Sequence, residues 1–331
     1  MNITEKKIDD LNLELSLEIS AADYAEPLDK RYKELKRKSE FKGFRKGMAP
    51  MSLIKKVYGD QVLSETLNNL VGEQLEGYIS DKKLNVLGEP LTSENQPELE
   101  WREGADFKFL FDVALSPKVE VEVVKEDTIP SYKITADAAE KKQMVENYKE
   151  YWSKKEGAPA KTDEEIEKEV TERLEAQYAN ESSWRLSKDI RDFYVNKSGI
   201  ALPEVFLKRW LLAANKDKYT AEDVEKQFPA FLEDLKWQLV RGSLMQKFGF
   251  KIEENDLKEA ARAYVTYQYA MYGMNDLPKE LLEDAVNNMM QDRNQISRLV
   301  EQVEDNKVMD KIKETVTLKP KKISAAKFRE L

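Results

Sequence analysis

Apolar and polar residues alternate without interruption from Leu11 through Leu13, Leu15 and Leu17 to Ile19, the period of a strand with one buried face. Asp106 to Leu115, with Phe107, Phe109, Phe111 and Val113, repeats the pattern and predicts a second strand of the same antiparallel sheet, closed by Ser116-Pro117. Between them the period changes to that of helices. A helix starts after Ser20 with Tyr24, Leu28, Tyr32 and Leu35 on one face, and Pro27 is compatible with it only near the first turn. Beyond Pro50 a short helix carries Leu53, Ile54 and Val57 and is expected to end at Gly59. A longer one from about Asp60 presents Leu63, Leu67, Leu70, Val71, Leu75 and Tyr78, the stripe needed to cover the sheet. Val86 to Pro90 and Glu98 to Trp101 read as short extended pieces.

From Val119 to Ile134 the pattern is that of an extended linker. A helix follows from about Ala136 to Lys155, and Gly157-Ala158-Pro159 breaks it. Thr162 with Glu165 three residues on forms a capping box, and the helical period then holds through Ile166, Val170, Leu174, Trp184, Ile190 and Phe193 up to Gly199. Pro203 restarts a helix as its first residue, Thr220 caps another, and Pro229 is expected to open a long segment whose buried face is Phe231, Leu232, Leu235, Leu239, Leu244 and Phe248. Further helices run over about 255–272, 278–290 and 291–315, before Val316-Thr317-Leu318-Lys319-Pro320 and a short tail. The fold class is therefore α+β: an N-terminal antiparallel sheet with helices, then an elongated, mostly α-helical domain with arm-like helix pairs. The expected divisions are a head at 1–118, a linker and helix at 119–161, and a helical domain at 162–331.

Composition narrows the chemistry. The 331 residues include neither cysteine nor histidine, which excludes disulfides, thiolate or imidazole metal ligands and every Ser-His or Cys-His relay. Paired carboxylates such as Glu164-Glu165 and Glu253-Glu254 fall in charge-rich helix starts, where the macrodipole favours them, and no catalytic constellation emerges. No apolar run reaches membrane-spanning length, and the N-terminus lacks a signal-peptide stretch, so a cytoplasmic protein is expected. The net charge is −9, yet Lys30 to Lys56 holds eleven basic residues against two acidic ones, a local +9 that leaves −18 for the remainder. Those basic residues read either as a solvated helix face or as a steering surface for a phosphate-rich partner.

The basic zone surrounds one unusual stretch, Phe41-Lys42-Gly43-Phe44-Arg45-Lys46-Gly47-Met48-Ala49-Pro50. Two glycines and a proline mark an ordered loop, and Phe44, Arg45 and Lys46 place an apolar ring beside two cations, suited to a polyanionic partner with a small hydrophobic notch. Read from pattern alone, it is also compatible with a plain surface turn. Gly43-Phe44-Arg45-Lys46-Gly47-x-x-Pro50 resembles the signature loop of the trigger factor family, bacterial chaperones that dock beside the ribosomal exit tunnel. The likeness covers roughly residues 1–118, and the later succession of antiparallel helices is similar to the family's C-terminal domain. It implies that Gly43, Phe44, Arg45, Lys46, Gly47 and Pro50 form the ribosome-binding loop, facing protein and RNA at the tunnel exit. It further implies nascent or unfolded polypeptides as clients, no cofactor and no membrane partner, and leaves open a homodimer when free.

Family members usually carry a prolyl isomerase domain of the FKBP type, a twisted sheet of about a hundred residues, between linker and arms. The chain has no room for it, and Gly157-Ala158-Pro159 is where a direct connection would lie, if it is not a plain helix-helix turn. The expected function is thus an ATP-independent chaperone rather than an enzyme, with prolyl isomerisation and RNA binding as the competing readings. For clients, the chain offers Tyr264, Tyr267, Tyr269, Met271, Tyr272 and Met274 around one helix end. Four tyrosines that cannot share one face leave some rings exposed, as adaptable contacts for many sequences or as packing against Met289 and Met290.

Overall fold

The computed structural model describes residues 1–154, 161–216, 218–274 and 276–331. In chain order the elements are β1 (Asn2–Lys7), β2 (Asn12–Ile19), α1 (Ala21–Lys38), α2 (Met51–Asp81), β3 (Leu91–Thr92), β4 (Phe107–Ala114) and β5 (Thr128–Thr135). They continue with α3 (Ala138–Ser153), α4 (Asp163–Ser198), α5 (Glu204–Ala214), α6 (Ala221–Phe248), α7 (Glu254–Met271), α8 (Lys279–Met289), α9 (Arg293–Thr315), β6 (Thr317–Ser324) and α10 (Ala325–Phe328). The α+β class holds, with an antiparallel sheet and its helices first and helices dominating thereafter. Two units separate: Met1–Lys118 together with Ala201–Leu232, and Val119–Ile200 together with Glu233–Leu331.

In the first unit the strands are ordered β1-β2-β4-β3, all antiparallel. The alternation read in the sequence is realised: Leu13, Leu15, Leu17 and Ile19 are buried beside Phe107, Phe109 and Val113, under Tyr24, Leu28 and Tyr32 of α1 and Leu63, Leu67, Val71 and Leu75 of α2. Each such side chain contributes roughly 1.5–3 kcal/mol by leaving water. Strand β1 carried no periodic signal because it is an exposed edge with one apolar residue, Ile3.

Gly59 does not end a helix. α2 runs unbroken over 31 residues, because Ile54 on one side of Gly59 and Val62 and Leu63 on the other bury into the same core, which outweighs a conformational cost of about 1 kcal/mol for an interior glycine. Pro27 lies one turn deeper in α1 than expected. Glu98 to Trp101 forms no strand, while Val86 makes an isolated bridge to Leu115 and the strand forms at Leu91–Thr92.

The segment from Ala201 to Leu232 packs with this unit. Arg209 of α5 reaches Asp112, on the sheet face opposite the core, with Nη1 2.7 Å from Oδ2, and donates to the Thr92 carbonyl. Beside it the Trp210 ring lies against Gly88, where a Cβ would come within 2.8 Å of the indole and φ is +74°. Glycine is required there on both counts.

The second unit is built on α4, whose Thr162 capping box forms as expected and whose C-cap, Gly199, is left-handed (φ 60°). Pro203 is the N-cap of α5 rather than its first residue. Pro229 lies inside α6, which starts at the Thr220 cap and sacrifices one backbone hydrogen bond to run through. The face that α6 buries here centres on Trp237, Val240 and Leu244, with Leu235 and Leu239 at its margin, because the Trp237 indole turns inward to donate to Asp305 at 2.6 Å. The break expected at Gly157-Ala158-Pro159 lies outside the described residues.

The tail and the linker, expected as separate extended pieces, pair instead as a parallel ribbon of β5 and β6, from Thr128↔Thr317 to Thr135↔Ser324. Ile129 and Leu318 on one face join a cluster with Ile190, Val240 and Ile312, whereas Ile134 and Ile323 on the other face join Val170, Leu174 and Tyr178. At the head of the ribbon, buried Asp127 accepts hydrogen bonds from Lys197 Nζ (2.6 and 2.7 Å), Tyr194 Oη (2.9 Å) and the Val124 amide (3.1 Å), and its carbonyl accepts from the Thr317 amide. Burial alone would raise its carboxyl, but these donors and the Lys197 charge hold it below the ordinary carboxylate range. Burial, with the Asp127 carboxylate beside it, pushes the Tyr194 phenol far up.

Replacing Asp127 by Asn should cost roughly 1.5–3 kcal/mol at neutral pH, because the buried carboxylate's charge-assisted hydrogen bonds from Lys197 and Tyr194 are lost. A carboxyl whose folded pKa is depressed stabilises above its unfolded pKa and loses that contribution as pH falls through the folded one. The gap between wild-type and D127N urea midpoints should therefore be full at pH 7 and shrink below about pH 4. A gap independent of pH would contradict the assignment.

Candidate functional site

Between α1 and α2 the chain makes two consecutive β-turns. The Phe44 amide donates to the Phe41 carbonyl (3.0 Å) and the Met48 amide to the Arg45 carbonyl (2.8 Å). Gly43 (φ 93°) and Gly47 (φ 79°) each occupy the third position of a turn, where type II geometry demands a positive φ. The motif's two glycines thus have one mechanical role each. A side chain at Gly43 would meet open space, so its conformation and not crowding fixes the residue.

Both ends of this double turn are pinned. Phe41 packs on the head core and edge-on against Tyr58, with centroids 6.1 Å apart, and Ala49 is buried in the same cluster. Pro50 then caps α2, its carbonyl accepting from the Leu53 and Ile54 amides. Between the pins Phe44 (44% exposed), Arg45 and Lys46 stand in solvent, brought together as the sequence predicts. Lys46 pairs loosely with Glu40 at 3.3 Å.

Nearby cations differ in their freedom. Arg31, Lys33 and Lys55 are answered by Glu65, Asp29 and Glu103, whereas among the described residues no carboxylate lies within 4.0 Å of Lys36, Arg37, Lys38, Lys42, Arg45 or Lys56. Unneutralised charge therefore concentrates on the end of α1, the loop and the start of α2. Met48 (68% exposed) and Val57 add apolar surface to the same region. Both were in plain view in the sequence, but only exposure separates them from core residues.

The second candidate stretch resolves into two faces of α7. Leu257, Ala260, Ala261, Val265 and Tyr269 face the cluster shared with Val286, Met289 and Met290 of the next helix and its end, so Tyr269 is a packing residue. Tyr264, Tyr267 and Met271, spaced by three and four, form an outer stripe, and Tyr272 (82% exposed), Met274 and Leu281 extend it at the helix end. Leu281 of α8 gave no signal of its own. Arg262 and Glu283 brace the two helices at 2.9 Å. Among the described residues no group of His, Cys, Asp or Glu could hold a metal ion, and no helix is long and apolar enough to cross a membrane.

The family description "Bacterial trigger factor protein (TF)" matches residues 1–148, and "Probable trigger factor, C-terminal domain" matches residues 182–331. Residues 149–181 lie between them, fewer than the roughly 50 at which independent domains begin. Trigger factor of Geobacter sp. (strain M21) is 36% identical over 132 residues, 38% of this chain and 29% of that protein. Trigger factor of Citrifermentans bemidjiense is 32% identical over 164 residues, 48% of this chain and 37% of that protein. The matched stretches thus span about a third of these curated relatives. A solved structure from work on promiscuous substrate recognition in folding and assembly activities of the trigger factor chaperone superposes with a TM-score of 0.57 at 13% identity. The match covers 94% of this chain and 99% of that one and speaks for the fold. With both its N-terminal and its C-terminal stretches matched to one family, and with that family's loop formed between α1 and α2, the chain belongs to the trigger factor family.

Proposed function

We propose that the chain is an ATP-independent chaperone of the cytoplasm. Its head, residues 1–118, docks at the ribosomal exit tunnel through the Gly43–Pro50 loop, and its helical part, residues 162–331, shields nascent or unfolded polypeptides. The observation that carries this reading is the double turn pinned by Phe41 and Ala49, which holds Phe44, Arg45 and Lys46 out as one rigid tip. Arg45 is placed to engage a carboxylate or phosphate through two hydrogen bonds, Lys46 adds a point charge, and Phe44 anchors in an apolar notch. Preorganisation matters because a floppy loop would lose about 0.5–1.5 kcal/mol per immobilised side chain on docking.

The stripe of Tyr264, Tyr267, Met271 and Tyr272 offers clients adaptable apolar contact. Each contact contributes at most a few kcal/mol, so binding after association costs stays weak and release needs no energy source. The reading includes no enzymatic step, prolyl isomerisation among them.

Replacing Phe44, Arg45 and Lys46 together by Ala should abolish cosedimentation with ribosomes while changing stability by no more than about 0.5 kcal/mol, as for surface sites elsewhere. Wild-type binding should weaken between 0.1 and 1 M salt as the screening length falls from about 10 to about 3 Å. Cosedimentation that survives the triple change would remove the loop from the mechanism. Replacing Tyr267, Met271 and Tyr272 by Ser, with Tyr269 left in place, should lower suppression of client aggregation and spare ribosome affinity. The intact chain should leave a proline-limited refolding rate unchanged, and acceleration by contaminant-free protein would refute the reading without isomerase activity.

A further inference from the structure

The ribbon of β5 and β6 is packed on one face near its start, where Ile129 and Leu318 enter their cluster, and on the other near its end, where Ile134 and Ile323 enter theirs. The surface left to solvent therefore changes face along the ribbon, and lysines follow it. Lys319 and Lys321 precede Ile323 on its face, Lys133 and Lys322 lie beyond Ile129 and Leu318 on theirs, and all four are exposed. Among the described residues no carboxylate lies within 4.0 Å of any of them, nor of Lys327 just beyond. Other cations of this region are answered, Lys141 by Glu167, Lys313 by Asp310 and Arg329 by Glu140. Lys133 and Lys322 are register partners on adjacent strands, an opposition of like charges that costs stability unless an anion meets it.

From Thr317 to Leu331 five basic residues stand against Glu330 alone, in a chain whose net charge is −9. Lys319 to Lys322 are exposed without interruption, so a strand of polyanion crossing β6 reaches the cations of both faces. Lys319 and Lys321 are about 6.6 Å apart along the strand, a spacing that successive phosphates can match. One aromatic ring lies among these charges. Tyr132, half-buried, is the register partner of Lys321, whose Nζ stands 6.0 Å from the ring centroid, and Lys133 follows it in the chain. Cations interleaved with an aromatic ring suit single-stranded nucleic acid, which offers phosphates and stacking faces together. Neither strand exposes a large apolar side chain that could enter a lipid bilayer.

We propose that the ribbon is a second RNA-binding surface, on a different unit from the Gly43–Pro50 loop, supplying a contact that neither the loop nor the tyrosine stripe makes. Lys133, Lys319, Lys321 and Lys322 meet phosphates of one strand, and Tyr132 stacks on a base. Bound phosphates relieve the repulsion between Lys133 and Lys322, so the surface is most stable when occupied.

The test uses the full chain and a fluorescein-labelled single-stranded RNA oligomer, read by anisotropy across a salt series, with a 4-thiouridine version for photo-crosslinking and mapping of the crosslinked peptides. The wild type should crosslink through the ribbon as well as through the basic head. K133Q/K319Q/K321Q/K322Q should lose the ribbon crosslinks, keep those of the head, and flatten the slope of log affinity against log salt by about 3, a single strand giving roughly 0.7 per phosphate neutralised. K133Q/K322Q should flatten it by about half as much and melt no lower than the wild type, since it removes only repulsion. Ribbon peptides that never crosslink, or a salt slope that the fourfold variant leaves unchanged, would overturn the inference. Binding of an oligoglutamate peptide that the fourfold variant abolishes, without ribbon crosslinks to RNA, would overturn it in favour of an acidic protein partner. The same pattern with phosphatidylglycerol vesicles would overturn it in favour of a membrane surface.

Discussion

A buried carboxylate must be paired or it neutralises, and in the second unit that requirement is met where two distant stretches and a local turn converge on Asp127. The Lys197 ammonium and the Tyr194 hydroxyl come from the end of α4, the Val124 amide from the linker, and the Thr317 amide from the start of β6 meets the same residue's carbonyl. Desolvation penalises the ionised form, and the donors outweigh it. With Asp127 satisfied, the ribbon's register is set, and with it which of Ile129 and Ile134 enters which cluster. A slip by one residue would turn both out of their cores.

The head depends on a more local economy. Its exposed tip is possible because the residues that bound it, half-buried Phe41 and buried Ala49, pack on the core, and because each turn has a glycine where φ must be positive. Packing and exposure are therefore separated along ten residues: the pins hold the loop and the tip is free to carry charge. The same separation recurs on α7, where Tyr269 packs inward and Tyr267 two positions earlier points out.

Arg209 and Trp210 illustrate a different kind of dependence. Two adjacent side chains of α5 meet Asp112 and Gly88, residues about a hundred positions earlier in the chain. The pair packs on β4 from the sheet face opposite the core, where Asp112 is half-buried although its polarity reads as solvent-facing.

The sequence alone determined what is short in range. Alternation identified β2 and β4, helical spacing identified the stripe of α2, the Thr162 box marked the start of α4, and Gly43, Gly47 and Pro50 marked the loop with its exposed triplet. These are properties of a residue and its near neighbours, and each is written in a period or a turn preference. Continuity through Gly59 and Pro229 was not legible, because a local breaker yields when apolar residues on both sides share a core. Nor was the pairing of Thr128–Thr135 with Thr317–Ser324, the seat of Trp210 on Gly88, or the inward turn of Tyr269. Those are contacts between stretches whose own patterns permit several partners, and the tertiary structure decided among them by the burial and hydrogen bonding that one arrangement alone could satisfy.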